Sequence, residues 1–520
     1  MGIKRWHRGV PAAPLAVVLL AVAGCDAAPD ARATGTAAPS RSAAAAAPSP
    51  SAGASGAVAR VCDKLKGGPA EAPAGAVTVD PSVVGDLAAK TENSPPHTTF
   101  WLRPGTHRLE PGPYDQVMPK AGDVYLGAPG AVLDGGKTNQ YAFGGTSSDV
   151  TIRHLTVQHF VAPHNEGVVN HESAPGWVIE HTAVQYNSGA GLMAGAGQRI
   201  RASCLRANGQ YGLNGYAASG ITGLVLEGNE ITGNNTDDWE RRQPGCGCTG
   251  GAKFWAVDRA DIRGNWVHDN RGTGLWADTN NNDFLIADNL IERNDGSALI
   301  YEISYNAVIR NNTIRRNNWV EGRQEADRGD DFPYATVYVS EAGGEPRIPA
   351  RTDKIEIHRN LLEDNWSGIT LWENADRFCN SPANTSSEDC TLLVPEVARC
   401  RQPAIATAPL NADCRWKTQR VEIHDNRFTL DTSTVKCTEK CGFMAVLANY
   451  GTYPDWSPYH GDRVAEAITL KQDNRWYDNV YAGPWRFVVH DTSRVLDSGQ
   501  WQGAPYRQDA GSTFRPKAGG

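Results

Sequence analysis

The chain has 520 residues, of which 40% are hydrophobic and 21% charged, so most of it can bury a core. Its formal net charge is −8. An acidic chain lacks the basic face that contacts with phosphates require, so no nucleic-acid partner is predicted. Beyond the N-terminus, no apolar run approaches the roughly 20 residues that a membrane-spanning helix needs.

The first 24 residues have the pattern of a secretory signal peptide. The basic residues Lys4, Arg5 and Arg8 precede the apolar stretch Pro11–Val22. Removing them would lower the net charge by three, to −11. The stretch ends in Val22-Ala23-Gly24-Cys25, which resembles the bacterial lipobox. The resemblance implies a lipid on Cys25 and an extracytoplasmic protein held on the outer face of the bacterial cell membrane. An ordinary secreted protein is the alternative.

Residues 25–59 are predicted to be a disordered tether. From Ala27 to Ala59 the chain is almost entirely Ala, Ser, Pro, Gly and Thr, without Leu, Ile or Phe, so it cannot offset the entropy of ordering. As a coil it would span roughly 30 Å. Residues 60–97 are then predicted to be an N-terminal cap segment.

Eleven cysteines minus Cys25 leave ten, an even number that an exported compartment would allow to pair. Spacing alone does not determine the pairs. A zinc site for the closest two would need a second Cys or His pair, so disulfides are favoured there as well. The cysteines in local groups are Cys246 and Cys248; Cys379, Cys390, Cys400 and Cys414; and Cys437 and Cys441.

The middle of the chain carries an internal repeat in which asparagines recur five residues apart. Short alternating apolar stretches such as Phe284–Ala287 and Ala307–Arg310 precede these pairs. From the second pair onward, successive pairs are 24, 23 and 48 residues apart. The six pairs are Asn229/Asn234, Asn265/Asn270, Asn289/Asn294, Asn312/Asn317, Asn360/Asn365 and Asn474/Asn479.

A period in the low twenties, with short β-branched strands and Asn or Gly corners, predicts the coils of a parallel β-helix stacked about 4.8 Å apart. Asparagine suits a corner because it tolerates left-handed backbone and its amide can bond the same residue one coil along. The strands are too short for a helical solenoid. The leucine-rich repeat pattern is absent.

At this point the chain resembles right-handed parallel β-helix proteins of the pectate-lyase-like superfamily over roughly residues 98–483. Thr99–His107 and Gly127–Gly135 look like the first coils of such proteins. The resemblance implies an all-β, right-handed, single-stranded parallel β-helix with loop insertions. One insertion, at 375–419, is Cys-rich, and residues 484–520 are predicted to form a C-terminal cap and tail. The superfamily contains lyases, hydrolases, epimerases and noncatalytic adhesins, so the fold does not determine the function.

Candidate catalytic residues emerge from counting eight residues past the second Asn of a pair. The count reaches Asp278, Glu302 and Glu373, which predicts a column of carboxylates along the solenoid. Stacked like charges repel unless a proton, cation or substrate compensates them. Glu341 lies in the intervening coil, but the insert Trp319–Tyr334 prevents its assignment to a register.

Aromatic and basic residues near this column are predicted to contact a sugar chain, because rings can pack on the C–H faces of sugars. Lys253 could also balance the negative column. The predicted substrate-binding residues are Lys253, Trp255, Trp276, Tyr301, Tyr338, Glu341, Trp372 and His171.

Three functions fit this pattern, all with a polysaccharide partner and a monomeric protein. The first is a glycoside hydrolase that uses paired carboxylates, and the sequence slightly favours it. The second is a polysaccharide lyase or epimerase, with calcium on Asp278 and Glu302 and with Lys253 as base, provided that the pKa of Lys253 is depressed. Against it, no Arg or Lys is in clear register with the column. The third is a noncatalytic carbohydrate-binding or wall-binding protein.

Overall fold

The computed structural model describes residues 60–243, 247, 250–379, 381, 390–394, 396–401, 403–449, 457–459 and 461–516. The predicted signal peptide, the lipidated Cys25, the tether, and both Cys246 and Cys248 lie outside these ranges and stay predictions. The helices within the described ranges are all too short or too polar to span a bilayer.

Three long sheets, here called A, B and C, make up the fold, and their strands are numbered in chain order. Each turn of the chain adds one strand to each sheet, and neighbouring strands are parallel except for the final pair in sheet C. Sheet A contains β1 (Val77–Val79), β2 (Thr99–Leu102), β4 (Val124–Gly127), β6 (Thr151–Arg153), β9 (Val178–Glu180), β12 (Arg199–Arg201), β15 (Ile221–Glu227), β18 (Val257–Arg263), β21 (Asn282–Ala287), β24 (Tyr305–Arg310), β27 (Ile355–His358), β30 (Val421–His424) and β33 (Arg475–Tyr477).

Sheets B and C complete the coils. Sheet B contains β3 (Gly105–Arg108), β5 (Ala131–Asp134), β7 (Thr156–Gln158), β10 (Ala183–Gln185), β13 (Cys204–Arg206), β16 (Glu230–Thr232), β19 (Trp266–His268), β22 (Leu290–Glu292), β25 (Thr313–Arg315), β28 (Leu361–Glu363), β31 (Arg427–Thr429), β34 (Val480–Ala482) and β37 (Thr513–Arg515). Sheet C contains β8 (Gly167–Val169), β11 (Ala190–Met193), β14 (Leu213–Gly215), β17 (Ala252–Phe254), β20 (Leu275–Ala277), β23 (Leu299–Glu302), β26 (Val337–Ser340), β29 (Ile369–Glu373), β32 (Phe443–Ala448), β35 (Arg486–His490) and β36 (Val495–Leu496).

Short helices occupy the insertions and the ends of the solenoid. Their bounds are α1 (Asp86–Asn93), α2 (Trp239–Arg242), α3 (Trp319–Asp327), α4 (Leu410–Asp413), α5 (Thr432–Val435), α6 (Arg463–Leu470) and α7 (Ser498–Gln502), with 3-10 turns at Val397–Cys400 and Ala404–Ala406. The predicted all-β parallel β-helix is therefore confirmed, with helices confined to connections and caps.

The core is a stack of inward-facing apolar side chains, because equal registers place like positions above one another. In sheet C, for example, Leu275, Leu299, Val337 and Ile369 are paired in register, and all four are buried. A stack of this kind closes each coil with its neighbours, so no coil buries its apolar face alone.

Asparagine ladders line two corners of each coil. Between sheets A and B, Asn265 donates its backbone N–H and its side-chain amide to the side-chain oxygen of Asn289, at 2.9 and 3.0 Å. Between sheets B and C, Asn270 does the same with Asn294. The predicted amide contact from coil to coil is thus confirmed, and it satisfies buried backbone groups at the corners.

Two details of the asparagine prediction were wrong. The left-handed backbone belongs to the residue before each of these asparagines, for example Asp288 at φ 58°, and not to the asparagine itself. The last proposed pair is also out of register. Asn479, the second member of the pair, accepts hydrogen bonds from Asn426 and so belongs to the ladder between sheets A and B, where first members lie. Asn474 accepts from the backbone N–H of Val421 instead.

Disulfides join several of the predicted groups. The local bridges are Cys379–Cys390, Cys400–Cys414 and Cys437–Cys441. A fourth bridge, Cys62–Cys204, links residues 142 apart and joins the N-terminal segment to sheet B. Its neighbours reinforce the attachment, because Val61 and Cys62 donate their backbone N–H groups to Glu230 at 2.6 and 2.9 Å. Sequence spacing could not reveal this long-range pair.

We expect removal of the long-range bridge to destabilise the protein more than removal of a local one. In the chain-entropy model, a loop of this length contributes about 5 kcal/mol and the four-residue separation of Cys437–Cys441 about 2 kcal/mol. The double variant Cys62→Ser/Cys204→Ser should therefore lose roughly 3 kcal/mol more than Cys437→Ser/Cys441→Ser. Equilibrium unfolding in denaturant measures the difference, and equal losses would contradict the prediction.

Candidate active site

The outward face of sheet C carries the candidate site. Lys253, Trp276, Ile300 and Tyr338 occupy one register position on four successive strands, β17, β20, β23 and β26. All four are half-buried, whereas their neighbours in sequence point into the core. We call these four residues the outward row.

Two of the three predicted carboxylates lie beside this row. Asp278 and Glu302 follow Ala277 and Tyr301, which are paired on adjacent coils. The two residues are therefore about 5 Å apart along the stack. Their side chains are only 13% and 6% exposed.

Glu373 does not share their register, so the predicted column of three carboxylates is wrong. Glu302 is in register with Ser340 and Trp372, which places Glu373 one position further along its strand. The corner between Asn365 and β29 is one residue shorter than the corner between Asn294 and β23, so the count of eight overshoots. Glu373 is fully buried and forms an ion pair with Arg415 inside the insertion.

Lys253 is held in the row by its neighbours. Its Nζ lies 2.8 Å from Asp278 Oδ2 and 4.0 Å from the centre of the Trp276 ring. It also donates to the carbonyl oxygen of Gly247 at 2.5 Å. Burial acts to lower the pKa of Lys253, but the attraction and hydrogen bond of Asp278, together with the nearby Tyr211 and Glu302, raise that pKa to about 12. The condition for Lys253 as a base, a depressed pKa, is therefore not met.

Arg377 is the residue of the candidate site that sequence reasoning missed. It belongs to the Cys-rich insertion, and its Nη1 donates to Glu302 Oε1 at 2.9 Å and to Glu341 Oε2 at 2.7 Å. Trp276 donates its ring N–H to the other oxygen of Glu302 at 3.2 Å. A residue in an insertion has no repeat position, so only a general bias toward loops for binding residues could have pointed to it.

Glu341 lies under this network and not on the surface of the groove. Its side chain is 0% exposed and accepts from the backbone N–H of Asn374 at 2.8 Å. Burial raises the pKa of Glu341, Arg377 opposes that shift, and Glu302 adds to it. Direct contact with a sugar, as predicted for Glu341, is contradicted because protein atoms enclose its carboxyl group.

The predicted aromatic contacts divide into two groups. Trp255, Trp276, Tyr338 and Trp372 are half-buried on the outward side of sheet C, where a ligand could reach them. Tyr301 is fully buried in the core and donates its hydroxyl to the carbonyl oxygen of Tyr305 at 2.6 Å. The prediction for Tyr301 was wrong because alternation along β23 points it inward.

His171 lies on the same side of the solenoid but far from this network. It follows β8, four strands before β20 in sheet C, which corresponds to about 19 Å along the stack. Its ring stacks on Tyr141 with the two centres 3.7 Å apart. The structure therefore does not bring His171 together with Asp278 and Glu302.

Calcium does not fit Asp278 and Glu302 as they stand. Both carboxylates are engaged by a protein cation, Lys253 or Arg377, so their oxygens do not form an open ligand cage. Within the described ranges, one cluster of three potential metal ligands occurs, formed by Cys379, Cys390 and Cys400, and these sulfurs are in disulfides.

The insertion and a corner loop cover the sides of the site. Asn280, beyond Asp278, donates to the carbonyl oxygen of Cys390 at 2.9 Å, so the insertion packs along this edge. Two cavities of about 250 and 470 Å³ lie elsewhere, one beside Lys417 and the other beside Tyr506. Contacts along the outward row, and not a deep cavity, therefore define the candidate site.

Comparison with known proteins agrees with this architecture. The family model for the right handed beta helix region matches residues 142–332 and 250–392. Together with the three parallel sheets, the match supports the predicted right-handed parallel β-helix fold. No curated protein sequence matches the chain.

Solved structures similar to the chain come from proteins with different functions. A mannuronic acid specific polysaccharide family 6 lyase from human gut microbiota is 12% identical, over 80% of this chain and 82% of that one, with a TM-score of 0.45. The A-module of the mannuronan C-5 epimerase AlgE6 from Azotobacter vinelandii is 13% identical, over 88% and 99%, with a TM-score of 0.41. PfbA, a surface adhesin of Streptococcus pneumoniae, is 8% identical, over 80% and 89%, with a TM-score of 0.39. These similarities concern the fold alone.

Proposed function

We propose that the protein acts on an acidic polysaccharide as a lyase or epimerase that removes the proton at C5 of a uronate residue. The observation that supports this proposal is a pair of nearly buried cations, Lys253 and Arg377, held against carboxylates beside aromatic rings. A uronate presents both an anionic group and apolar C–H faces, which such a surface complements.

The contacts of Lys253 and Arg377 favour the lyase or epimerase over the hydrolase. The sequence counts against a lyase because no basic residue lies in register with the carboxylates, but in the structure Lys253 and Arg377 reach them from a neighbouring coil and from the insertion. A glycosidase also needs a carboxylic acid that protonates the leaving oxygen. Both candidate acids, Asp278 and Glu302, instead contact a protein cation, so neither can serve as that acid without first leaving its partner.

In the proposed reaction, Lys253 neutralises the substrate carboxylate, which makes the C5 proton easier to remove. Asp278, released from its ion pair, accepts that proton while the electron pair moves toward the substrate carboxylate. In a lyase, the bond from C4 to the glycosidic oxygen then breaks, a C4–C5 double bond forms, and Lys253 protonates the leaving oxygen. In an epimerase, a water molecule on the opposite face protonates C5 instead, and Asp278 returns its proton to the solvent.

A retaining hydrolase is the second candidate, because Asp278 and Glu302 are on adjacent coils. Their spacing of about 5 Å along the stack matches the separation of the two carboxyl groups in retaining glycosidases. In that case new reducing ends would appear without an unsaturated product.

The proposal is tested by assaying the purified chain on a panel of uronate-containing and neutral polysaccharides. Deuterium incorporation at C5 in heavy water detects the epimerase, which returns a proton to that carbon. A lyase leaves no hydrogen at C5, so it is detected by the ultraviolet absorbance of its unsaturated product. Lys253→Met should lower the rate at least about 100-fold, because it removes the counter-ion and the proton donor.

Lys354→Met is the matched control. Lys354 also pairs with a carboxylate one coil away, Glu422 at 2.6 Å, but on sheet A. Its rate should remain within twofold of wild type. New reducing ends with neither an unsaturated product nor deuterium at C5 would replace the proposal with the hydrolase. Binding without any reaction would favour the noncatalytic protein.

A further inference from the structure

The accessible part of the sheet C face is short. Within the described residues, the outward row is half-buried on four consecutive coils, from Lys253 to Tyr338. Three coil spacings amount to about 14 Å. A sugar residue in an extended glycan is about as long as one coil spacing, so this length corresponds to about three residues.

The end of the row toward the N-terminus is covered by a loop. Asn214 occupies the register position of Lys253 on the preceding strand, β14. It is only 8% exposed and donates to the carbonyl oxygen of Asn165 at 2.8 Å. Asn165 lies between β7 and β8 and is held by two hydrogen bonds to Gln210, at 2.7 and 2.9 Å. Its neighbour His164 packs on Trp239, with ring centres 4.3 Å apart.

The opposite end is covered in the same way. Thr370 follows Tyr338 in register, yet it is 0% exposed and donates its hydroxyl to the carbonyl oxygen of Pro333 at 3.0 Å. The adjacent Phe332 lies across the row, with its ring centre 6.3 Å from those of both Tyr338 and Trp372. The outward face beyond this point is therefore occupied by the protein's own side chains.

From this geometry we infer that the site takes a chain end or a short oligosaccharide of about three residues, and not the middle of a long chain. The inference rests on the proposed function and adds the mode of action. A long glycan lying along the axis of the solenoid would collide with Asn165 at one end and with Phe332 at the other. A long chain bound by its end has to bend away from the sheet at one barrier only, whereas one bound by its middle has to do so at both. The enzyme therefore acts from a chain end and releases small products.

The length dependence of binding tests this inference. The affinity of the Asp278→Asn variant, which lacks the proposed base but keeps Lys253, is measured by calorimetry for oligomannuronates and oligogalacturonates, from disaccharide to octasaccharide. Affinity should rise up to about the trisaccharide and then stay constant within twofold. In Asp278→Asn/Phe332→Ala the plateau should move to longer chains, because the barrier above Thr370 is removed. Asp278→Asn/Tyr186→Ala, which truncates an exposed ring in the corner after β10, should keep the plateau of Asp278→Asn.

The outcomes separate the inference from the proposed function. An affinity that keeps rising more than tenfold from trisaccharide to octasaccharide would overturn the inference and leave the proposed function standing. Wild type that binds none of the oligosaccharides in either series would overturn both. In an activity assay on a polysaccharide that the protein degrades, action from a chain end predicts that the viscosity falls slowly relative to the amount of product formed.

Discussion

Replacing Arg377 with methionine is expected to destabilise the protein by about 4 kcal/mol, because removing one partner of a buried ion pair leaves an uncompensated charge. The Nη1 atom of Arg377 contacts the carboxylates of both Glu302 and Glu341. The side chains of these three residues are all less than a tenth exposed. The loss should be measured as the free energy of unfolding in denaturant. Activity should fall as well, because Glu302 would lose the contact that orients it.

The destabilisation should depend on pH in a defined direction. The folded-state pKa of Glu341 is already raised by burial, and loss of Arg377 would raise it further. A carboxyl group with a raised folded pKa binds more protons when folded, so stability falls as the pH rises above the ordinary glutamate range. Arg377→Met should therefore be closer to wild type at pH 5 than at pH 8, and Arg377→Met/Glu341→Gln should lose much of this dependence.

Arg201→Met is the control for charge removal. Arg201 likewise bridges two carboxylates, Glu180 at 4.0 Å and Glu227 at 3.2 Å, but its side chain is 40% exposed and those of its partners are 21% and 56% exposed. Exposed pairs contribute about 0–1 kcal/mol, so this variant should remain near wild type. If the two arginine variants lost equal free energies of unfolding, the burial of Arg377 would not explain the stability that its ion pairs contribute.

The fold could be predicted because its signal is repeated many times along the chain. The middle coils place an asparagine where the backbone turns, because its amide oxygen accepts the N–H of the previous coil. The five pairs that are in register average out local irregularities. A single shortened corner, such as the one after Asn365, has no such averaging, and it shifted the prediction for Glu373 by one position.

The candidate site was less predictable because insertions supply part of it. Asp278 and Glu302 occupy repeat positions, so counting placed them on adjacent coils. Arg377 reaches Glu302 from a segment 75 residues away that has no register of its own. Phe332 and Asn165 likewise lie in loops whose paths depend on tertiary packing. Sequence periodicity therefore predicts the residues on the outward row, including Lys253, but not Arg377 or the loops that close the two ends of the site.

The asparagine ladder should be the most sensitive part of the fold to a single substitution, and Asn294→Ala tests this. The side-chain oxygen of Asn294 accepts the backbone N–H and the amide of Asn270, at 3.2 and 2.9 Å. Its amide donates to Val267 and to Asn317, at 3.2 and 2.9 Å. Truncation leaves several buried groups unpaired at about 1–3 kcal/mol each, so we expect a loss of about 5 kcal/mol.

The exposed asparagine of α1 provides the comparison that isolates the ladder. Asn93 has one side-chain hydrogen bond, to the carbonyl oxygen of Ala89 at 2.8 Å, within its own helix. Asn93→Ala should change the free energy of unfolding by less than about 0.5 kcal/mol, because surface substitutions rarely do more. The ladder differs because each amide completes the coil before it and the coil after it, so its loss propagates along the stack. A loss below 1 kcal/mol for Asn294→Ala would mean that the coils are held by their apolar stack alone.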